Sequence, residues 1–264
     1  MAEECDSSQE TDEQRDPLPQ RGAGGARRSK KRLGVAAAMG IATMVALSAA
    51  YNALTWPDVS ALERSNPETT AFIERYRARA ENRGDTSDIH WVWVPYDSIS
   101  PHLKCAVLVA EDIGFFSHRG FEGSEIKQAI GDALSGERAL RGASTITQQL
   151  AKNLWLSPSR SLLRKLKEAA LAYHLEQRLS KKRILEIYLN VVEFGPGVYG
   201  AEAAARYYFR KAATDLNPKE AAQLAAALPR PLRWNPASDN RWYRQYTTTI
   251  QERMDQAAFL WRRI

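Results

Sequence analysis

The feature that most constrains this chain is a run of 22 residues, 33–54, without a single charge. It follows directly on Arg27-Arg28-Ser29-Lys30-Lys31-Arg32, five positive charges in six positions. Wound as a helix, the run spans roughly 33 Å, enough to cross a hydrocarbon core of about 30 Å. A cleaved signal peptide and a buried helix compete with that reading, because the run is Ala-rich and only moderately apolar. The apolar core of a signal peptide is usually about 7–15 residues, however, and this one is longer. An uncleaved transmembrane helix over 33–54 is therefore the expectation, with the basic cluster on the cytoplasmic side and residues 55–264 outside. Residues 1–32 are acidic and polar, then rich in Pro, Gly and Arg; with no apolar periodicity they read as a disordered tail.

The net charge of +6 resides wholly in the outer part. Residues 1–54 hold seven Lys/Arg and seven Asp/Glu, which leaves 30 basic and 24 acidic residues over 55–264. A basic globular domain suits a nucleic acid, a phospholipid surface or a phosphorylated substrate. A domain outside the membrane makes nucleic acid the weakest of the three. Cys5 and Cys105 would lie on opposite sides of the bilayer and cannot pair. Cys105 stands in an apolar run and reads as a small buried hydrophobe. Neither cysteine belongs to a metal-ligand spacing.

Beyond residue 54 the pattern is helix after helix, so the fold class is mainly α. Helical periodicity covers 60–82, with an interruption near Pro67, and then 101–112, 124–134, 144–154, 161–190, 201–209, 218–228 and 241–263. Ser144 is the expected cap of the fourth of these. The stretch 90–96 (HWVWVPY) is the one β-like segment, and Phe194-Gly-Pro-Gly-Val-Tyr-Gly200 reads as a turn.

Three places carry chemistry. Glu111-Asp112 closes the apolar helix, where low dielectric raises a carboxyl pKa and suits proton transfer near neutral pH. A helix end on solvent is the plain alternative, and the nearby His118 reads more readily as structural. Residues 141–153 (RGASTITQQLAKN) line a helix with hydroxyls and amides around most of its surface, the edge that a sugar needs, though an exposed polar helix would look similar. In residues 160–176 (RSLLRKLKEAALAYHLE), Arg164 and Lys165 stand four and three residues before Glu168. A solvated ion pair accounts for that spacing; so does a cation cluster of Lys152, Arg160, Arg164 and Lys165 for a diphosphate.

The order and spacing of these segments are more specific than any one of them. EDIGFFSHRGFE (111–122), GASTITQQLAKN (142–153), RKLKE (164–168), KKRILEIYLNVVEFGPGVYG (181–200) and YYFRKAATDLNPKEAAQLAAALPRPLRWNP (207–236) resemble the successive motifs of the peptidoglycan glycosyltransferases, glycosyltransferase family 51. The resemblance covers residues 90–240. It implies a lysozyme-like, two-lobed, mainly helical domain that polymerises lipid II into β-1,4-linked glycan with inversion, releasing undecaprenyl diphosphate. Glu111 matches the family's catalytic base and Glu168 its second essential carboxylate. Ser144, Gln149, Lys152 and Arg160 match substrate contacts, supported by Asp112, Asn153, Arg164 and Lys165. The resemblance implies no resident metal; a divalent cation, Mg or Mn, at the diphosphate is compatible with it. Implied partners are lipid II, the growing lipid-linked glycan and cell-wall synthesis or division proteins, at the periplasmic face of the inner membrane.

The chain departs from the family pattern at Ala143, where Gly is common, and at Glu122, where Asp is usual. Its one Ser-x-x-Lys match, Ser124 to Lys127, stands without any Lys-Thr-Gly pattern, so a monofunctional enzyme without transpeptidase activity is expected. A lytic glycosidase of related fold would not require the cation cluster after Asn153. A non-catalytic scaffold would tolerate loss of Glu111 and Glu168.

Overall fold

A computed structural model describes residues 39–40, 42–44, 56–84, 89–121, 144–159 and 161–264. The chain divides into two units, Met1–Trp56 and Pro57–Ile264, and the elements below belong to the second. Among the described residues no helix is long and apolar enough to cross a membrane. Most of the expected 33–54 span lies outside them, as do residues 1–32, the expected 124–134 helix and Arg160.

The described part is mainly helical, as the periodicity requires. Helix α1 (Ala71–Glu81) is capped by Thr70, whose hydroxyl accepts from the Ile73 N–H. A separate 3-10 turn, Val59–Glu63, precedes it, and Pro67 falls in the break between them. Helix α2 (Pro101–Glu111) starts with Pro at a position that needs no N–H donor, and Ser100 caps it. Its residues 103–109 are all buried. They pack against α7 (Pro218–Ala227), opened by an Asn217–Glu220 capping box, and α8 (Arg241–Gln256). Full burial of Leu103 and Leu108 contributes about 1.5–3 kcal/mol each. Leu108→Ala would cost about 2–5 kcal/mol by leaving a cavity. Cys105 is free and buried here, with its thiol pushed up to about 11 by desolvation, as a core hydrophobe rather than a nucleophile.

A second group of helices, α3 (Ile146–Trp155), α4 (Leu162–Arg178) and α5 (Lys181–Val191), packs on itself, with α1 against α3. Two expectations need correction here. The cap of α3 is Thr145, not Ser144: the Thr145 hydroxyl accepts from the Gln148 N–H and donates to the Gly120 carbonyl. The single helix expected over 161–190 is two, because Ser180 turns its hydroxyl onto the Arg183 N–H and opens a new helix.

The β-like stretch 90–96 shortens to a two-residue strand, and the 194–200 turn supplies two more. Strand β1 (His90–Trp91) runs parallel to β3 (Val198–Tyr199), which pairs antiparallel with β2 (Glu193–Gly195). Asn190 explains why β1 stops. Its side chain receives the Val94 N–H at 2.9 Å and donates to the Val94 carbonyl at 2.9 Å, so that stretch bonds to an amide instead of a strand. At Gly200, φ is +82° and a Cβ would sit 2.5 Å from the Asn190 carbonyl oxygen, so only glycine fits. Helix α6 (Ala201–Phe209) follows, and the helix expected over 241–263 divides into α8 and a 3-10 turn, Ala258–Arg262.

Candidate active site

Glu111 is the last residue of α2, where the buried run meets a groove of ≈ 1320 Å³. Desolvation is the main influence on its carboxyl and pushes the pKa up. Two neighbours oppose it: Gln149 Nε2 donates to Glu111 Oε2 at 2.7 Å, and the charge of Lys152 favours the anion. Gln149 is in turn aimed by Tyr188, whose buried hydroxyl donates to Gln149 Oε1 at 3.0 Å. A carboxylate held by one neutral donor beside apolar packing is suited to accept a proton and release it.

Asp112 has a different task from its neighbour. Its Oδ2 accepts the Ile146 N–H at 3.0 Å, and its Oδ1 lies 2.8 Å from His118 Nε2. His118 Nδ1 accepts the Gly120 N–H, so Nε2 carries the proton given to Asp112. Asp112 thereby ties the start of α3 to the end of α2 and holds Gln149 within reach of Glu111. This accounts for His118 as a structural residue.

Glu168 is buried on α4 and ion-paired by Arg164 and Lys165, which the three- and four-residue spacing places on its face. Lys165 also donates to Ser144 Oγ at 3.1 Å and to Gln148 Oε1 at 3.2 Å, so the cluster is joined to the start of α3. Because Thr145 caps that helix, the Ser144 hydroxyl is left for the groove. Lys152 lines the groove too, and among the described residues no carboxylate pairs with it. Burial pushes its ammonium pKa down, against the pull of Glu168, and its Nζ lies 5.9 Å from the Phe72 ring centroid.

Of the residues expected from sequence, Glu111, Ser144, Gln149 and Lys152 line one groove. Arg164, Lys165 and Glu168 join it through Ser144. Asn153 is buried on α3 and Asp112 beneath the rim, both as framework, and Arg160 lies outside the described residues. Both oxygens of Glu168 are taken by cations, so this carboxylate does not fit a divalent ion. Among the described residues no group of three His, Cys, Asp or Glu is placed to hold a metal.

The opposite wall was not singled out by sequence. It comes from the loop after α7, with Arg230 and Trp234, and from Trp242, Gln245, Tyr246 and Thr249 of α8. The signal was present: those four stand at i, i+3, i+4 and i+7, one face of a helix, and mix aromatic rings with hydrogen-bonding groups as sugar-binding surfaces do.

A family model described as Transglycosylase matches residues 79–255. A protein of Thiobacillus denitrificans named biosynthetic peptidoglycan transglycosylase is 41% identical over 225 residues, covering 85% of this chain and 94% of its own. One of the same name from Azoarcus sp. is 51% identical over 170 residues, 64% and 73% of the two chains. A third, from Bordetella pertussis, is 45% identical over 193 residues, 72% and 80%.

Proposed function

The chain belongs to the transglycosylase family and is a peptidoglycan glycosyltransferase of the cell envelope, and from that premise we propose that it polymerises lipid II with Glu111 as general base. The observation that carries the reading is the pairing of a desolvated carboxyl, Glu111, with an ammonium in the same groove, Lys152, that has no carboxylate partner among the described residues. A proton acceptor and an anion site, within one sugar-sized groove, are what transfer from a glycosyl diphosphate requires.

In the proposed reaction, the 4-hydroxyl of an incoming lipid II attacks the anomeric carbon of the growing lipid-linked glycan. Glu111 takes the hydroxyl proton as the new β-1,4 bond forms. The bond from the anomeric carbon to the diphosphate breaks on the opposite face, and the electron pair leaves with undecaprenyl diphosphate. Lys152, with the Ser144 hydroxyl and Arg160, stabilises that developing charge without reorganisation, the usual source of large rate effects. Glu168 keeps Arg164 in place and holds Lys165 against Ser144.

Residues 33–54 are proposed as the single transmembrane anchor, with 1–32 as the cytoplasmic tail and 55–264 as the periplasmic catalytic domain without transpeptidase activity. Leu163 and Leu166 support membrane contact: they are exposed and flank Arg164 and Lys165. Apolar side chains interleaved with cations suit an anionic bilayer surface.

Purified protein supplied with labelled lipid II in detergent is expected to make polymeric glycan, and Glu111→Gln to make none. Cleavage of preformed glycan without polymerisation would replace this reading by a lytic one. A variant as active as the parent would remove Glu111 from its role.

A further inference from the structure

A second pocket, of ≈ 800 Å³, abuts the catalytic groove and is not used by the reaction above. Arg75 and Arg79 of α1 and Arg83, just beyond the end of that helix, enter it at four-residue spacing. Facing them is Glu193, the first residue of β2. Among the described residues none of these four side chains is in an ion pair, although Glu168, Glu176, Glu202 and Glu220 each have a cation in contact. Among the described residues the Arg75 guanidinium donates to the Leu156 carbonyl at 3.4 Å and lies 5.3 Å from the Phe72 ring centroid, and the Arg83 one donates to the Arg79 carbonyl at 3.2 Å. Among the described residues the Glu193 side chain has no hydrogen-bond partner, and burial pushes its carboxyl up to about 7 against the opposing charge of Arg79.

Aromatic faces complete the lining, from Tyr76, Tyr199 and Tyr207. The Tyr76 hydroxyl is seated by a glycine: at Gly197, φ +72°, a Cβ would lie 2.8 Å from it. A pocket that holds cations and a carboxyl apart, with rings between them, is matched to a ligand bearing both signs. Guanidinium pairs carboxylate, a carboxylate with tyrosine faces pairs ammonium, and each pairing would be charge-assisted. An anionic phospholipid surface would require the cations alone, and Glu193 would repel its phosphate.

The pocket also has the right neighbour. Phe72 lines it and stands 5.9 Å from Lys152 of the groove, while Leu232 lines it from the loop whose Arg230 and Trp234 line the groove. We propose that this pocket holds the peptide branch of the substrate, with its free carboxylates on Arg75 and Arg79 and its free amine on Glu193. The proposal rests on the lipid II reading above, because the sugar of that substrate carries a short peptide with both groups.

The test compares full-length protein and its Arg79→Ala variant on lipid II and on the same lipid-linked disaccharide without its peptide. Loss of one charge-assisted contact is expected to raise KM for lipid II about tenfold with kcat retained. KM for the peptide-free substrate is expected to stay as in the parent. Thermal unfolding checks that the exposed substitution leaves the fold intact. Glu193→Gln is expected to raise KM for lipid II as well, and to lose that effect when the peptide amine is acetylated. Equal changes on both substrates, or none on either, would overturn the assignment. So would unchanged KM values with weaker binding to anionic vesicles, which would give the pocket to phospholipid. Failure of the parent protein to polymerise either substrate would instead defeat the function on which the proposal rests.

Discussion

Glu111 and Glu168 are two carboxylates of the same candidate site, both largely withdrawn from water, and their company differs completely. Glu111 ends an apolar helix, touches one neutral amide, and is pushed toward its protonated form by desolvation. Glu168 sits between the guanidinium of Arg164 and the ammonium of Lys165, which in turn reaches Ser144 and Gln148. The lone carboxylate can exchange a proton, whereas the paired one is occupied in holding cations. Burial alone therefore does not make a base; burial without a cation in contact suits a carboxyl to that role.

The largest effect is expected from Glu111→Gln, which should lower polymerisation by about 10³-fold, within the usual range for a general base. Stability should move the other way. A carboxyl whose folded pKa is raised contributes stability that is full below its unfolded value and lost as pH rises through the folded one. At neutral pH the variant should thus melt at or above the parent temperature, and the acid limb of parent activity should lie above the ordinary carboxyl range. A variant that melts well below the parent would break the comparison.

Glu168→Gln should lower activity by about 10²-fold, in the range of a lost electrostatic stabiliser. Unlike the first change, it should also destabilise, by about 1–2 kcal/mol, a discounted figure because Lys165 is nearly half exposed and can rehydrate. Denaturant melts beside rate measurements would show whether the two carboxylates separate in this way. Gln149→Ala should cost about tenfold, roughly one charge-assisted hydrogen bond, and it should shift the acid limb of the pH–rate profile upward because the Glu111 anion loses its donor. An unmoved limb would mean that Gln149 does not tune the base.

Glu193 offers the smallest and cleanest check, another carboxyl without a cation in contact among the described residues, raised to about 7. Its contribution is full below pH 4.5 and fades as pH rises through about 7. Parent stability should fall by about 1 kcal/mol across that window, allowing for hydration of an open pocket, and Glu193→Gln should flatten the fall. Chemical denaturation at pH 5 and pH 8 measures it.

Much of the fold was legible because helix signals are local. Pro101 and Asn217–Glu220 begin α2 and α7 where the sequence indicates, and the Arg164/Lys165–Glu168 spacing needs nothing beyond helical pitch. The misreadings share a cause. At Thr145 and Ser180, adjacent or ordinary hydroxyl residues compete for caps, and the choice depends on the Gly120 carbonyl in one case and on where α5 must turn in the other. The shortened β1 depends on Asn190, about 100 residues away in sequence, whose amide replaces a strand partner.

What the sequence by itself determined is the helical framework, the chemical identity of the groove and the motif order that shows the family, because these rest on residue type and on spacings within a turn or two. Only the tertiary structure decided which of two neighbouring acids faces the groove and which one braces it. Asp112 spends both oxygens on Ile146 and His118, while Glu111 keeps its carboxylate for Gln149 and the open space. It also decided that Trp242, Gln245, Tyr246 and Thr249 form the far wall, and that Arg79 and Glu193 share a pocket. The physical reason is the same throughout: desolvation and the presence or absence of a counter-charge arise from elements far apart in the chain, and no local pattern records them.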